Sequence, residues 1–251
     1  MIKVILSGAL GRMGQMVEQT IDEVPDMEIV AAADPLADGA ARSYPLYDHI
    51  GACDAEADVI IDFSHHSAVG EVLRFAVEKK LPAVIATTGL TDEELILVKE
   101  AGQSVAVLQT GNTSLGITLL SELVARAASF LGDDYDVEIV ETHHNQKVDA
   151  PSGTALMLAN AVNDGAFDGQ KAFTFGRHGR STKREKKEIG IHAVRGGTVV
   201  GEHQVRFFGP DEVIEIRHSA GSRRLFANGA VRAAKFLVGQ PAGVYATKDL
   251  L

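Results

Sequence analysis

The sequence predicts an α/β fold: a Rossmann-type doubly wound parallel sheet plus a smaller α+β domain with a mixed open sheet. Three observations lead there. Residues 2–6 are a short apolar run that ends at a glycine turn and a helical pattern. Strand-like and helix-like segments then alternate through residue 108, the rhythm of a parallel sheet with helices on its faces. Beyond a long amphipathic segment, residues 212–219 set apolar Ile214 and Ile216 against Glu215 and Arg217, as in a half-solvated strand. A chain of 251 residues can form one large domain or two smaller ones. The pattern divides this one into 1–113 with 223–251, and 114–222.

The first of these parts is built as follows. After the strand 2–6 comes Gly8-Ala9-Leu10-Gly11-Arg12-Met13-Gly14. Met13, Met16, Val17, Thr20, Ile21 and Val24 then recur at helical spacing and mark one buried face. A second apolar run, 28–33, ends at Asp34, 20 positions after Gly14 (34 − 14). Strand, glycine turn, helix, strand and acid make a dinucleotide-binding unit, in which glycines let the backbone approach a pyrophosphate that the helix N terminus faces. The spacing is G-x-x-G-x-x-G and not the usual G-x-G-x-x-G, so a glycine-rich turn without a ligand stays an alternative.

Further units follow: a strand at 58–63, a helix at 67–79 with Val69, Val72, Leu73, Ala76 and Val77 inward, and a strand at 83–86. Thr91 and Glu94 form a capping box for a helix to Ala101, and 104–108 is another strand. Ligands of such sheets sit at the carboxyl ends of the strands, which singles out the loops 8–14, 63–66, 87–89 and 110–113. The candidate cofactor contacts are Gly8, Ala9, Leu10, Gly11, Arg12 and Met13 in the first loop. Ala86, Thr87 and Thr88 follow in the third, and Thr110, Gly111, Asn112 and Thr113 in the last. Asp34 bears on the choice of cofactor. A carboxylate there can accept hydrogen bonds from a ribose 2′-OH and would repel a 2′-phosphate, so NADH is expected to serve at least as well as NADPH. A turn cap before Pro35 is the other reading of Asp34.

In the second part, residues 115–131 read as an amphipathic helix with Leu119, Leu120, Leu123, Val124 and Ala127 on one side. A strand with Val137, Ile139 and Val140 then delivers His143, His144 and Lys147. Asp149-Ala150-Pro151 turns the chain, and Ser152-Gly153-Thr154 starts a helix over 155–162, with serine and proline as start signals. The N–H groups of Gly153 and Thr154 sit at the positive end of that helix, a ready anion site. One segment thus offers proton donors beside a carboxylate cradle. From His-His-x-x-Lys alone, a surface loop with a satisfied histidine pair is an equal reading. A basic loop at 177–187 precedes strands at 188–195, 199–208 and 212–219. With the first strand these make a mixed open sheet, whose edge or face calls for cover by oligomerisation. Residues 222–237 read as a helix with Phe226, Ala230, Ala233, Ala234 and Leu237 inward, which returns the chain to the first domain.

Composition narrows the classes. Lys+Arg 24 against Asp+Glu 34 gives −10, which disfavours nonspecific binding to nucleic acid. Cys53 is the single cysteine, so no intrachain disulfide can form. Met1-Ile2-Lys3 leads straight into Val4-Ile5-Leu6, so no signal peptide is expected. No apolar run is expected to approach the ~20 residues that span a bilayer. The expectation is a soluble cytoplasmic protein with no membrane partner. His192, His203 and His218 lack the spacing of a metal centre, and no metal is expected.

The string His143-His144-x-x-Lys147-x-Asp149-Ala150-Pro151-Ser152-Gly153-Thr154-Ala155 closely resembles the signature of the 4-hydroxy-tetrahydrodipicolinate (dihydrodipicolinate) reductase family of bacterial lysine biosynthesis. Gly8-Ala9-x-Gly11-Arg12-Met13-Gly14 is similar to the family's glycine loop. Glu188-Ile189-Gly190-x-His192-Ala193-x-Arg195-Gly196-Gly197 and Ser222-Arg223-x-x-Phe226-Ala227-x-Gly229-Ala230 extend the likeness nearly to the end. The chain departs from the family at Ala86, where the family has glycine, and at Thr113, where it has a phenylalanine near the nicotinamide.

The resemblance implies hydride transfer from NADH and/or NADPH to a small dicarboxylate, (2S,4S)-4-hydroxy-2,3,4,5-tetrahydrodipicolinate, with loss of water. It implies proton-donor roles in catalysis for His143 and Lys147, and substrate binding by His144, Gly153 and Thr154. It also implies a homotetramer, so that 1–113 with 223–251 is the dinucleotide-binding domain and 114–222 the substrate-binding and oligomerisation domain. An imidazole that titrates near neutrality suits the donor; the run 177–187 reads first as a solvated loop, in which a basic residue could still steer a dicarboxylate. Closure on binding both ligands is expected. Two other readings stay open: another amino-acid or imine dehydrogenase on the same fold, and a non-catalytic NADH-sensing module.

Overall fold

In the computed structural model, residues 1–180 and 183–250 are described. The chain runs β1 (Ile2–Ser7), α1 (Arg12–Asp22), β2 (Met27–Ala33), β3 (Leu46–Tyr47), β4 (Val59–Asp62), α2 (Val69–Lys79), β5 (Ala83–Ile85), α3 (Asp92–Ala101) and β6 (Ala106–Gln109). It continues as α4 (Leu115–Leu131), β7 (Asp136–His143), α5 (Gly153–Phe167), β8 (Ala172–Phe175), β9 (Glu188–Arg195), β10 (Gly201–Phe208), β11 (Val213–Ala220), α6 (Arg224–Leu237) and β12 (Gly243–Tyr245). Two compact units result, Met1–Ser114 with Arg223–Leu251, and Leu115–Ser222.

The first unit carries a seven-stranded sheet in the order β12-β6-β5-β4-β1-β2-β3, and every pairing in it is parallel. The middles of its central strands, residues 4–6, residues 59–61 and Ala83–Ile85, are continuous apolar runs because both faces are covered. On β1, Val4 and Leu6 pack with Val17 and Ile21 of α1 and Ala230 and Leu237 of α6. Ile5 points the other way, to Ile60, Val72, Leu73 and Ala76 under α2. The Thr91 capping box opens α3, with Thr91 Oγ1 accepting from the Glu94 N–H and Glu94 Oε2 from the Thr91 N–H. The doubly wound sheet is as the sequence predicts, except for two short outer strands. β3 has two residues and β12 three, too few for either to show a period.

The second unit is a five-stranded mixed sheet, β11-β10-β7-β9-β8. β10 runs antiparallel to β7 and β11, while β7, β9 and β8 are parallel. The mixed open sheet matches expectation, with β8 as an added edge strand. Along β7 the odd positions Val137, Ile139, Glu141 and His143 are buried, and along β10 so are Gly201, His203, Val205 and Phe207. Both strands turn these residues to one face, where Val137, Ile139, Val205 and Phe207 meet Leu158, Ala159 and Val162 of α5 and Leu120 and Val124 of α4.

Two expectations about α4 need correction. Its buried residues are Ile117, Thr118, Leu120, Val124 and Ala128, while Leu119 and Leu123 are 49% and 46% exposed. The apolar sector is wider than the arc its neighbours cover, so the stripe through 119 and 123 falls outside the core. Residues Leu115–Asp134 also have the length and apolar character to cross a membrane, 20 residues at a mean hydropathy of 1.4. The expectation that no run approaches that length therefore does not hold, although one face of the helix lies in the second unit's core.

Candidate active site

In the first unit the carboxyl ends of β1, β2, β4 and β5 gather the predicted loops. Gly8 has φ +77°, and a Cβ there would stand 2.5 Å from the Phe63 carbonyl oxygen. A Cβ on Gly14 would lie 2.1 Å from the Gly8 oxygen, so α1 sits directly on the glycine turn. Gly11 caps α1 without a side-chain hydrogen bond, and the first turn of α1 holds no acidic residue. The positive helix end is thus left for an anion. A cavity of 380 Å³ opens here, lined among others by Gly8, Gly11, Asp34, Pro35, Phe63 and Ser64. Ala9 is fully buried, Arg12 exposed, and Met13 packs on the core, while Leu10 gives its N–H to Asp34 Oδ2 at 2.9 Å. Asp34 Oδ1 accepts from the Leu36 N–H at 3.0 Å. Asp34 therefore fastens the glycine loop to the end of β2, and it caps its own turn as well.

Two neighbouring loops are held by side chains. Asp62, fully buried at the end of β4, accepts from Thr87 Oγ1 at 2.6 Å and from the Ser64 N–H at 3.3 Å. Burial pushes its carboxyl above the ordinary range, against the hydrogen bonds from Ser64, Thr87 and Ser7. The sequence reading named Thr87 but not Asp62, although a carboxylate closing an apolar strand is a visible signal. Ala86 is buried beside Thr87, and Thr88 is exposed. In the last loop Thr110 Oγ1 donates to the Asn112 carbonyl, and Asn112 Oδ1 accepts from the Ser114 N–H. Gly111 is exposed. Thr113 turns inward and donates to the Phe226 carbonyl at 2.7 Å. Its side chain ties the loop to α6 within the first unit, and its carbonyl packs so closely on Gly229 of that helix that a Cβ there would meet it at 1.7 Å.

In the second unit β7 delivers His143, and Glu141 two residues earlier lies on the same face. His143 Nδ1 and Glu141 Oε2 are 2.5 Å apart. The chain then turns, with the Lys147 N–H donating to the His144 carbonyl and Lys147 Nζ paired with Asp149 Oδ1 at 2.8 Å. Ser152 caps α5 by accepting from the Ala155 N–H. The first turn of α5 holds no acidic residue, Gly153 is exposed, and His144 and Thr154 are half-buried. His143, His144, Lys147, Gly153 and Thr154 therefore lie along one short connection from β7 to α5. Burial pushes the His143 imidazole below its ordinary value; the Glu141 hydrogen bond and charge oppose this, and Lys147 and Arg195 add to the lowering.

Two residues that sequence reasoning did not select complete this cluster. Arg195 of β9 reaches both Glu141 oxygens, at 2.8 and 2.7 Å. His203 of β10 lies 5.2 Å from the His143 ring in an edge-on arrangement, and its Nε2 is 3.1 Å from Ser152 Oγ. His192 pairs with Glu138 on the sheet's other side. Among the described residues no group of three or more His, Cys, Asp and Glu is placed to hold a metal ion.

In the basic loop two of the cations are committed to ion pairs. Arg177 binds Glu138 and Glu188, and Arg184 binds Asp136 and Glu138. These two cations clamp β7 and β9 and are not free to steer a substrate; positions 181 and 182 of that loop lie outside the described residues.

His203 gives the second unit an acid sensitivity. Burial holds its imidazole down at about 4, from an ordinary 6.5. Between those values the unfolded chain binds a proton that the folded chain does not, so stability falls as pH drops through that window, by roughly 3 kcal/mol at its lower end. Urea midpoints at neutral and mildly acidic pH should fall less in His203→Phe than in the wild type. Equal losses in the two proteins would remove His203 as the cause.

Comparison with known proteins gives the context. A family description, "Dihydrodipicolinate reductase, N-terminus", matches residues 2–113, and its C-terminal counterpart matches 116–251. The 4-hydroxy-tetrahydrodipicolinate reductase of Caldanaerobacter subterraneus subsp. tengcongensis is 47% identical over 251 residues, covering 100% of this chain and 98% of the relative. That of Clostridium novyi is 43% identical with the same coverage. The dipicolinate-bound dihydrodipicolinate reductase of Paenisporosarcina sp. TG-14 superposes with a TM-score of 0.80 at 26% identity, covering 98% of this chain and 97% of that one. A Rossmann-type sheet with an open glycine loop, in a chain whose relatives are reductases along its whole length, defines an oxidoreductase that uses a nicotinamide cofactor. With both halves matched, the chain belongs to the dihydrodipicolinate reductase family.

Proposed function

We propose that the chain reduces 4-hydroxy-2,3,4,5-tetrahydrodipicolinate to 2,3,4,5-tetrahydrodipicolinate, with water and the oxidised cofactor as the other products, in the diaminopimelate route to lysine. The observation that carries this reading is the buried Glu141–His143 pair beside the open N terminus of α5, inside the string that marks the family. The dipicolinate bound to the Paenisporosarcina relative supports a small cyclic dicarboxylate. We assign cofactor binding to the first unit, and substrate binding and homotetramer assembly to the second, in a cytoplasmic enzyme.

The geometry supports the following roles. When bound, the nicotinamide supplies a hydride to the unsaturated carbon of the ring. The backbone of Gly8–Gly11 and the start of α1 hold the pyrophosphate, and the cavity beside Asp34 takes the adjoining ribose. The N–H groups of Gly153 and Thr154 hold one substrate carboxylate, with His144 at the same mouth. His143 delivers the proton that quenches charge created by the hydride, and the Lys147 ammonium stabilises that charge as it forms. Turnover of substrate made in place from pyruvate and aspartate semialdehyde, followed as loss of reduced nicotinamide absorbance, tests the reading. A chain that binds NADH and turns nothing over would point to a different substrate or to a sensor.

Asp34 favours NADH. Both oxygens accept backbone N–H groups, so the carboxylate is fixed at the ribose end of the cavity, and Pro35 supplies no cation for a 2′-phosphate. Asp34→Asn keeps one acceptor oxygen and removes the charge. The ratio of kcat/KM for NADH over NADPH should fall severalfold in this variant, and an unchanged ratio would dismiss the carboxylate as selector.

A further inference from the structure

Glu141 is completely buried, yet each of its oxygens has two donors. Oε2 takes His143 Nδ1 at 2.5 Å and Arg195 Nη1 at 2.8 Å. Oε1 takes Arg195 Nη2 at 2.7 Å and the Ser152 backbone N–H at 3.0 Å. Burial would push this carboxyl up, and the bonds from Arg195, His143 and Ser152 outweigh it, so that it stays below its ordinary value. The donors come from three elements. His143 is on β7, Arg195 on β9, and Ser152 is the cap of α5.

We propose that Glu141 is a positioning residue of the reductase: its carboxylate fixes the His143 ring with Nδ1 protonated and Nε2 left to give the proton, and it locks that ring to the start of α5, where the substrate carboxylate is held. This rests on the reading of His143 as the proton donor. An ionised carboxylate only accepts, so the ring nitrogen facing it carries hydrogen in both charge states. The nitrogen that gains and loses a proton is then Nε2. A Cβ at position 201 would come within 3.0 Å of that atom, and glycine stands there.

The charges around the ring give Glu141 a second effect. Facing His143 are Lys147 on the loop after β7, Arg195 on β9 and His203 on β10, with Asp149 paired to Lys147. Lys147 and Arg195 disfavour the imidazolium, and so does burial. Glu141 supplies the opposing charge that keeps the donor loaded with a proton.

Glu141→Gln preserves the side-chain volume and removes the charge. In the full-length variant, His143 should titrate about one pH unit or more lower than in wild type, read from its ring nitrogens by NMR. The limb of kcat that declines with rising pH should move with it, and kcat at neutral pH should drop about tenfold or more, with NADH affinity kept. Glu141→Asp retains the charge and should bring the titration back towards wild type. Should the glutamine variant not fold, the wild type decides, because its Nδ1 must hold a proton throughout the titration while Nε2 changes state. A neutral ring protonated on Nε2, or a glutamine variant with the wild-type titration and pH profile, overturns the proposal. Parallel measurement of His143→Gln separates the two claims. Loss of turnover there with a wild-type-like Glu141→Gln rejects the positioning role alone, whereas full turnover in His143→Gln rejects the donor assignment on which it stands.

Discussion

Replacing His143 with glutamine should lower kcat by about 10² or more while leaving NADH affinity unchanged. Glutamine keeps a polar group within reach of Glu141 but has no proton to deliver at neutral pH. Lys147→Ala should cost a comparable factor, because in the proposed role the ammonium acts on charge that exists only as the hydride arrives. Lys147 is also paired with Asp149, an exposed group that water can solvate once the lysine is gone, so the loss should appear in kcat and not in folding. If the two residues serve one proton transfer, the double variant should be little worse than the poorer single one. Steady-state kinetics beside fluorescence titration of NADH measures all of this. Wild-type kcat in both single variants would reject the assignment.

Gly14→Ala should damage cofactor binding and folding together. The added methyl would meet the Gly8 carbonyl oxygen at 2.1 Å and Ala9 backbone atoms at 2.7 Å. These are main-chain atoms, so α1 must move off the glycine turn, at a cost of about 1–3 kcal/mol. Displacing the helix start also spoils the anion site, and NADH affinity should fall by roughly tenfold, equivalent to about 1.4 kcal/mol. Gly11→Ala is the control. Its added methyl would stand 3.3 Å from the Gly8 carbonyl oxygen, a contact that a shift of a few tenths of an ångström relieves, so it should cost clearly less stability than Gly14→Ala even if binding weakens. Urea unfolding and NADH titration of the pair test the contrast, and a Gly14→Ala chain as stable as Gly11→Ala would show that the close packing is not what glycine provides there.

What could be read in advance follows a physical divide. The strands of the first sheet are legible because burial on both faces writes a continuous apolar run, as in residues 59–61 and Ala83–Ile85. The α3 start was legible because a capping box is a local device. Glu141 was half legible. Alternation on β7 puts it on the His143 face, but the run of apolar neighbours drew attention away from an inward carboxylate. Arg195 and His203 were not, since their meeting with Glu141 and Ser152 depends on strand register across 54 and 51 residues. The covered face of α4 was missed for a similar reason. Leucines surround much of that helix, and only its partners decide which of them are buried. Thr113 shows the opposite case, a departure from the family whose hydroxyl has its own partner on α6.

The first unit is made from both ends of the chain, and that orders its assembly on the ribosome. Val4, Leu6, Val17 and Ile21 share a core with Ala227, Ala230, Ala233, Ala234 and Leu237 of α6, and β12 adds the strand outside β6. The second unit is continuous, from Leu115 to Ser222, so it can close as soon as its own residues emerge. The nascent N-terminal sheet cannot. The part of one face that α6 covers, beside α1, stays open to water, and to any other unfinished chain nearby, until translation has passed Leu237. Crowded synthesis therefore threatens this protein through the strands of its first sheet, and α6 is the helix that ends the exposure.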